Sequence, residues 1–217
     1  MVKASIIKSS LVRDAMLRVD RKHYIPNKNV LDDEIAYMDS PQRIGYNVTI
    51  SAPHMHAFAL EILKDHLVKG NRALDVGSGS GYLVACMAQM VGDSGKVIGL
   101  EYIPQLAKHS QECLSTETGL VYEMYKNKNL QIHEGDGWKG YESEAPYHAM
   151  HVGAAAATIP DMLIQQLANN GRLVVPVGPE GGSQELMVID KDADGNIKKT
   201  SAMGVMYVPL VNPSKSK

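Results

Sequence analysis

The sequence predicts a doubly wound α/β domain: a mostly parallel sheet of seven strands, helices on both faces, and an antiparallel strand pair at the C-terminal end. Three observations carry this prediction. Short apolar runs alternate with segments of helical periodicity, the pattern of βαβ units. Leu74-Asp75-Val76 passes into Gly77-Ser78-Gly79-Ser80-Gly81, where three glycines at alternate positions make a tight turn between strand and helix. Two more strand-like runs close the chain with a polar turn between them, as antiparallel neighbours require.

The elements follow in order. Over residues 5 to about 20, Ile6, Ile7, Leu11, Ala15, Met16 and Val19 share a helical face, which predicts a leading helix docked on the main body. From His23 to Ala52 the pattern is irregular, with Pro26, Pro41, Gly45 and the polar run Asn27-Lys28-Asn29, and reads as a long structured loop of the functional kind. Pro53 starts a helix with Met55, Phe58, Ala59, Ile62 and Leu63 on one face, and Gly70 marks its exit. Strands are expected at Ala73–Val76, Lys96–Glu101, Leu130–His133, Ala149–Val152 and Leu173–Val177, with helices near 82–91, 104–114 and 160–168. In the last helix Thr158 suits the cap, Pro160 the first turn and Gly171 the stop. Residues 114–128 read as a helix end or loop, and 138–146 carry little helix. Glu185–Asp190 and Gly204–Leu210 form the final pair. The whole is expected as one domain: leading helix, loop and helix over 5–70, a βα core over 71–178, and C-terminal strands over 179–217.

Composition excludes several classes. With 22 basic and 24 acidic residues and a net charge of -2, the chain has no excess of cations to draw a phosphate backbone, so no nucleic-acid partner is expected. The two cysteines, Cys86 and Cys113, fit reduced thiols in a cytosolic setting. There is no apolar run of membrane-spanning length and no apolar core of a secretory signal, so a cytoplasmic protein without membrane contact is expected. Lys3, Lys8 and Arg13 precede the first acid, Asp14, as in a transit peptide, but the segment reads equally as an ordinary amphipathic helix.

The chemistry centres on the glycine turn, where bare backbone lets a nucleotide-like ligand approach a helix start. A dinucleotide fingerprint needs G-x-G-x-x-G, yet the third position falls on Tyr82 or Val84, which disfavours NAD. Asp190 to Ile197 copies the opening of a calcium loop, but position twelve is Ser201 rather than glutamate, so a hairpin turn is expected. His54-x-His56 would diverge on a helix and lacks further ligands at zinc spacing, so no metal is expected. His56 is better suited to orienting a ligand. Ser51 lacks the G-x-S-x-G elbow of a nucleophilic serine, which leaves it as a positioning group or as a helix-start residue that satisfies backbone donors.

Asp75 before the glycines and Glu101 after the next strand resemble the D-x-G-x-G-x-G site of S-adenosylmethionine-dependent methyltransferases, whose fold is a Rossmann-like sheet with an antiparallel C-terminal end. More specifically, Tyr37 to Gly45, Thr49-Ile50-Ser51-Ala52-Pro53-His54-Met55-His56, His151-Val152-Gly153-Ala154-Ala155-Ala156, Gly171 to Pro179 and Met203 to Leu210 resemble the protein-L-isoaspartate (D-aspartate) O-methyltransferases, the eukaryotic branch above all. The resemblance spans almost the whole chain. It implies methylation of the free carboxylate of L-isoaspartyl or D-aspartyl residues in damaged proteins and peptides, after which the ester collapses to a succinimide that partly restores aspartate. Departures lie at Ile25–Ala36, at Ser115–Asn129 and in the tail after Leu210, while Val211 replaces a position polar in some relatives.

The resemblance also assigns residues. Val48, Thr49, Ile50, Ser51 and His56 line the junction of cofactor and substrate, with Ser51 as the catalytic positioning residue. Ser80 and the turn glycines Gly77, Gly79 and Gly81 face the methionine part of the cofactor, Glu101 takes the ribose, Tyr102, Asp136 and Gly137 lie toward the base, and Asp75 and Ser78 also bind the cofactor. Ala52, Val152, Gly153, Ala154, Val208, Pro209 and Leu210, with Ser51 and His56, wall the substrate. The expected cofactor is S-adenosyl-L-methionine without a metal, and the expected state is a monomer. Two alternatives remain at this stage: a methyltransferase of a small molecule or RNA, and a non-catalytic protein that binds the cofactor.

Overall fold

The computed structural model describes residues 6–26 and 33–211. The N-terminal part comprises α1 (Ser10–Arg18), a 3₁₀ turn (Arg21–Tyr24), α2 (Asp33–Tyr37), a hairpin of β1 (Gln42–Gly45) and β2 (Val48–Ile50), and α3 (Pro53–Leu63). The core runs through β3 (Arg72–Val76), α4 (Tyr82–Val91), β4 (Lys96–Glu101), α5 (Pro104–Ser115), α6 (Gly119–Lys126) and β5 (Leu130–Glu134). It continues with β6 (Tyr147–Val152), α7 (Asp161–Gln166), β7 (Leu167–Val177), β8 (Gln184–Lys191) and β9 (Ile197–Val205). One sheet of seven strands has the order β5-β4-β3-β6-β7-β8-β9; pairings from β5 to β7 are parallel, and β8 is antiparallel to both β7 and β9.

The central strands are buried along nearly their full length, as apolar runs covered on both faces should be. Alternation divides them between two cores. Ala73 and Ala149 pack with the α1, α3, α4, α5 and α6 side, whereas Leu74, Val76, Met150 and Val152 pack with α7 on the other face. α4 is apolar almost all round because it is enclosed, lying between α1 and the sheet. Its entry is the glycine turn, with Gly77, Gly79 and Gly81 all left-handed (φ +70°, +56° and +91°). Strand order reverses between β3 and β6, and that switch point opens a crevice at the carboxyl ends of the strands.

Several expectations need correction. The leading helix begins at Ser10, not residue 5, because Ser9 caps it through Val12 N–H and Glu61 Oε1 accepts from the Lys8 and Ser9 amides at 2.8 and 2.7 Å. Its buried face is Val12, Ala15 and Val19, while Leu11 turns outward. The expected long loop over 23–52 holds α2 and the β1–β2 hairpin, whose turn uses Tyr46 and Asn47 with φ of 53° and 58°. A left-handed tyrosine is rare, which hid the turn. The polar run Asn27-Lys28-Asn29 lies outside the described residues. Residues 119–126 form α6 where a helix end or loop was expected. α7 is capped at Pro160 without a side-chain bond, so Thr158 does not cap it, and Gly171 falls inside β7 rather than at the helix stop.

The last strand is also displaced. β9 ends at Val205, and the segment expected to pair over 204–210 leaves the sheet, because the Gln184 side chain accepts from Tyr207 N at 2.7 Å and donates to Tyr207 O at 3.1 Å. Beyond it, Ala155 N–H donates to Val208 O (2.8 Å) and Leu210 N–H to Ala155 O (2.7 Å). The 190–197 segment is the expected hairpin turn, with Asp192 accepting from the Asp194 and Asn196 amides at 2.9 and 2.8 Å. Among the described residues no helix is long and apolar enough to cross a membrane.

The turn into α4 is a sharp test of this packing. A Cβ on Gly81 would adopt a left-handed backbone and collide with Ser110 Oγ, which is fully buried. Left-handed geometry alone costs about 1–2 kcal/mol for a residue with Cβ, so Gly81→Ala should lower the melting temperature by more than that cost alone. Adding Ser110→Ala should recover only the collision, and full recovery in thermal melts would refute the backbone argument.

Candidate active site

The crevice at the switch point is a cleft of about 750 Å³. Its floor is the glycine turn, where Gly77, Ser78, Gly79 and Ser80 meet Gly153 from the end of β6. One wall is Val48, Thr49, Ile50, Ser51 and Ala52, running from β2 into α3, and His56 on the first turn of that helix completes it. Another wall is the segment that leaves the sheet edge, including Tyr207, Val208 and Pro209. Glycine is required at the base: a Cβ on Gly153 would lie 2.8 Å from Gly77 O.

Asp75 lines this cleft and is almost fully buried, with its carboxylate Oδ1 2.7 Å from His151 Nδ1. The two residues are register partners on β3 and β6, so strand alternation turns both to the same face. His56 is buried as well, with Arg21 Nη1 3.3 Å from its Nδ1 and the Tyr82 ring at 5.0 Å. Burial, reinforced by the Arg21 charge, holds the His56 imidazole well below its ordinary value. Burial pushes the Tyr207 phenol up to about 12, and the Ser51 hydroxyl facing it works in the opposite direction. Ser51 is not the helix cap: that position is Ala52, with no side-chain cap bond.

Glu101 lies outside the cleft lining, beneath the turn. Its Oε2 accepts from Gly79 N at 2.8 Å and its Oε1 from Ile103 N at 3.0 Å. Burial raises its carboxyl above the usual carboxylate range despite those donors. Gly81, Tyr102, Asp136, Gly137, Val152, Ala154 and Leu210 are likewise outside the lining. Tyr102 is exposed beside Glu101, Asp136 Oδ1 accepts from Trp138 N (3.0 Å), and a Cβ on Gly137 would press on Val76 and Leu210. Gly81 turns toward Ser110, Val152 is in the core, Ala154 would be in ordinary contact with a Cβ on Gly77, and Leu210 is held to Ala155.

The residue reading missed Arg21, Tyr82, His151 and Tyr207. His151 and Tyr207 carried a signal, since both lie inside the motifs that bear the resemblance, and Tyr82 directly follows the glycine turn; Arg21 had none. His54 and His56 do diverge: His54 is exposed on Asp39 at 2.9 Å, and His56 is buried on Arg21. Among the described residues no group of three or more His, Cys, Asp or Glu side chains is placed to hold a metal ion.

The sequence profile of the family described as Protein-L-isoaspartate(D-aspartate) O-methyltransferase (PCMT) matches residues 1–215. The chain belongs to this family. It is 49% identical over 207 residues to Protein-L-isoaspartate O-methyltransferase 1 of Arabidopsis thaliana, covering 95% of this chain and 86% of the relative. It is 46% identical over 207 residues to the Protein-L-isoaspartate O-methyltransferase of Caenorhabditis elegans, covering 95% and 87%. A crystal structure from Plasmodium falciparum, assigned as a protein-L-isoaspartate O-methyltransferase and solved with S-adenosyl-L-homocysteine, superimposes with a TM-score of 0.85 at 38% identity, covering 97% of this chain and 94% of that one. Family membership makes this chain an S-adenosylmethionine-dependent methyltransferase and sets aside the reading as a non-catalytic binding protein.

The depressed His56 gives a pH test of this site. An unfolded histidine titrates near 6.5, so below that pH the unfolded chain takes up a proton that the native site refuses. The His56 contribution is therefore complete above about pH 6.5 and is lost as pH falls toward the depressed native value, by at most about 1.4 kcal/mol per pH unit. Denaturant titrations between about pH 5 and 7 should show a shallower loss for His56→Gln than for the unmodified protein. Equal slopes would mean that native His56 takes up its proton as readily as in the unfolded chain.

Proposed function

We propose that this cleft transfers the methyl group of S-adenosyl-L-methionine to the free carboxylate of L-isoaspartyl and D-aspartyl residues in damaged proteins and peptides. The observation that carries the reading is the shared cavity: the glycine turn, the Ser51 wall and the Tyr207–Pro209 wall enclose one space, so donor and acceptor can meet in line. The residues fit the cofactor. The left-handed Gly77 and Gly79 and the Gly77–Gly153 approach leave a cradle of bare backbone, and the buried Ser78 hydroxyl has no partner among the described residues. Glu101 would take the ribose hydroxyls, with Tyr102, Asp136 and Gly137 toward the base, and Asp75, Ser80 and the turn glycines toward the methionine end.

When bound, the cofactor supplies a methyl already activated on a sulfonium. A carboxylate is ionised near neutral pH, so no side chain has to remove a proton. The protein's work is alignment and exclusion of water. Ser51 orients the acceptor oxygen, with Ala52 and His56 beside it, while Gly153 and the Val208-Pro209 segment, which line the cleft, hold the isoaspartyl backbone between them. With the cofactor held by the glycine turn, the carboxylate oxygen would take the methyl while the electron pair of the carbon–sulfur bond would stay on sulfur. The released ester closes to a succinimide with loss of methanol, and hydrolysis returns part of it to aspartate. We also propose a cytosolic monomer; the buried free thiols Cys86 and Cys113 suit a reducing compartment.

The deciding assay is methyl transfer from labelled adenosylmethionine to one peptide in isoaspartyl and aspartyl forms. Moving one methylene breaks the in-line geometry, so the isoaspartyl form should be preferred by at least about a hundred-fold; equal labelling would reject the assignment.

Ser51→Ala separates positioning from scaffolding. Because Ser51 does not cap α3, the variant should keep its melting temperature and cofactor affinity while kcat falls, by about ten-fold if one hydrogen bond of about 1.4 kcal/mol is lost at the transition state. Unchanged kcat would leave Ser51 as lining only.

A further inference from the structure

Arg21 is a buried cation with an unusual set of partners. It is 4% exposed, its Nε donates to Ala36 O at 2.9 Å, and its guanidinium carbon sits 5.7 Å from the centre of the Tyr82 ring. Its Nη1 lies 3.3 Å from His56 Nδ1, and its Nη2 has no hydrogen-bond partner among the described residues. No carboxylate is hydrogen-bonded to it there, although a buried charge is ordinarily retained only with a counter-ion. Both rings it touches, His56 and Tyr82, line the cleft, whereas Arg21 itself does not.

A guanidinium carries only donors, so the short contact requires a lone pair on His56 Nδ1. In a neutral imidazole the proton then sits on Nε2, on the ring edge away from Arg21. We propose that Arg21 is a positioning residue that locks His56 in its Nε2–H tautomer and so presents a neutral N–H donor to a carboxylate in the cleft. The lock works twice. The Nδ1–H tautomer would set donor against donor, and the fixed positive charge behind the ring resists formation of imidazolium, which would repel the sulfonium of the methyl donor. Burial acts in the same direction on His56. Two carboxylates belong in this space, that of the isoaspartyl residue and that of the cofactor's amino-acid end. Their identity rests on the proposed methyl transfer; the tautomer does not.

Nitrogen-15 spectra of the ligand-free protein, with the His56 signals assigned by their loss in His56→Gln, test the lock directly. The unmodified protein should show His56 neutral and protonated on Nε2. Arg21→Met should release it to a tautomer mixture or to imidazolium at neutral pH, and Arg21→Lys, which keeps a donor but not the fork, should restore part of the original pattern. In the same proteins kcat/KM should fall at least ten-fold for Arg21→Met and less for Arg21→Lys. A weaker Kd for S-adenosylhomocysteine names the cofactor carboxylate as the acceptor, and a change confined to peptide KM or kcat names the substrate carboxylate. An Nδ1–H tautomer in the unmodified protein, or a folded Arg21→Met with unaltered tautomer and kcat/KM, overturns the proposal. If Arg21→Met does not fold, the unmodified spectrum and Arg21→Lys decide. Absence of methyl transfer in every protein would reject the functional reading and leave the tautomer result standing.

Discussion

The site depends on how closely two backbones approach at the point where the strand order reverses. Gly153 N–H donates to Val76 O at 2.8 Å, and the Gly153 Cα faces Gly77 O with no room for a side chain. Gly77 and Ser78 in turn donate to Leu100 O at 2.8 and 3.2 Å, so the ends of β3, β4 and β6 are tied into one ledge. A crevice exists at every such reversal in a doubly wound sheet. Here the absent side chains turn it into a shelf of bare peptide bonds.

The polar groups of the site are fixed by the same ledge. Asp75 and His151 meet because they are register partners on adjacent parallel strands, and Glu101 is clamped by two backbone amides, one of them from the turn itself. Placing acceptors on strand ends rather than on mobile loops keeps reorganisation small when charge moves through the cleft. The N-terminal elements then close the space from outside, with β2 and α3 carrying the Ser51 wall and Arg21 bracing His56 from behind.

Much of this was legible in the chain. The parallel strands and α4 stood where apolar runs and the glycine turn put them, because burial on both faces leaves a strong pattern. The hairpin of β1 and β2 was hidden because its turn is made by Tyr46 and Asn47 rather than by glycine. β9 was misplaced because the segment after it is as apolar as a strand, yet Gln184, far off in sequence, binds the Tyr207 backbone and draws it away. The glycine turn, Ser51 and Glu101 were read from motifs; the turn and Ser51 line the cleft, and Glu101 lies outside its lining. Arg21 was missed, since nothing local marks a cation whose partners are a carbonyl, an imidazole and a ring brought together only by tertiary packing.

The detour of residues 206–210 has a consequence for biosynthesis. The wall they form is fastened to Ala155 and Gln184, so the strand segment that bears the glycine turn is synthesised more than a hundred residues before the wall that faces it. A nascent chain can assemble its sheet from β3 to β7 and still lack one side of the cleft. The cleft is therefore complete only once residues 206–210 have been made and have folded back onto Ala155 and Gln184.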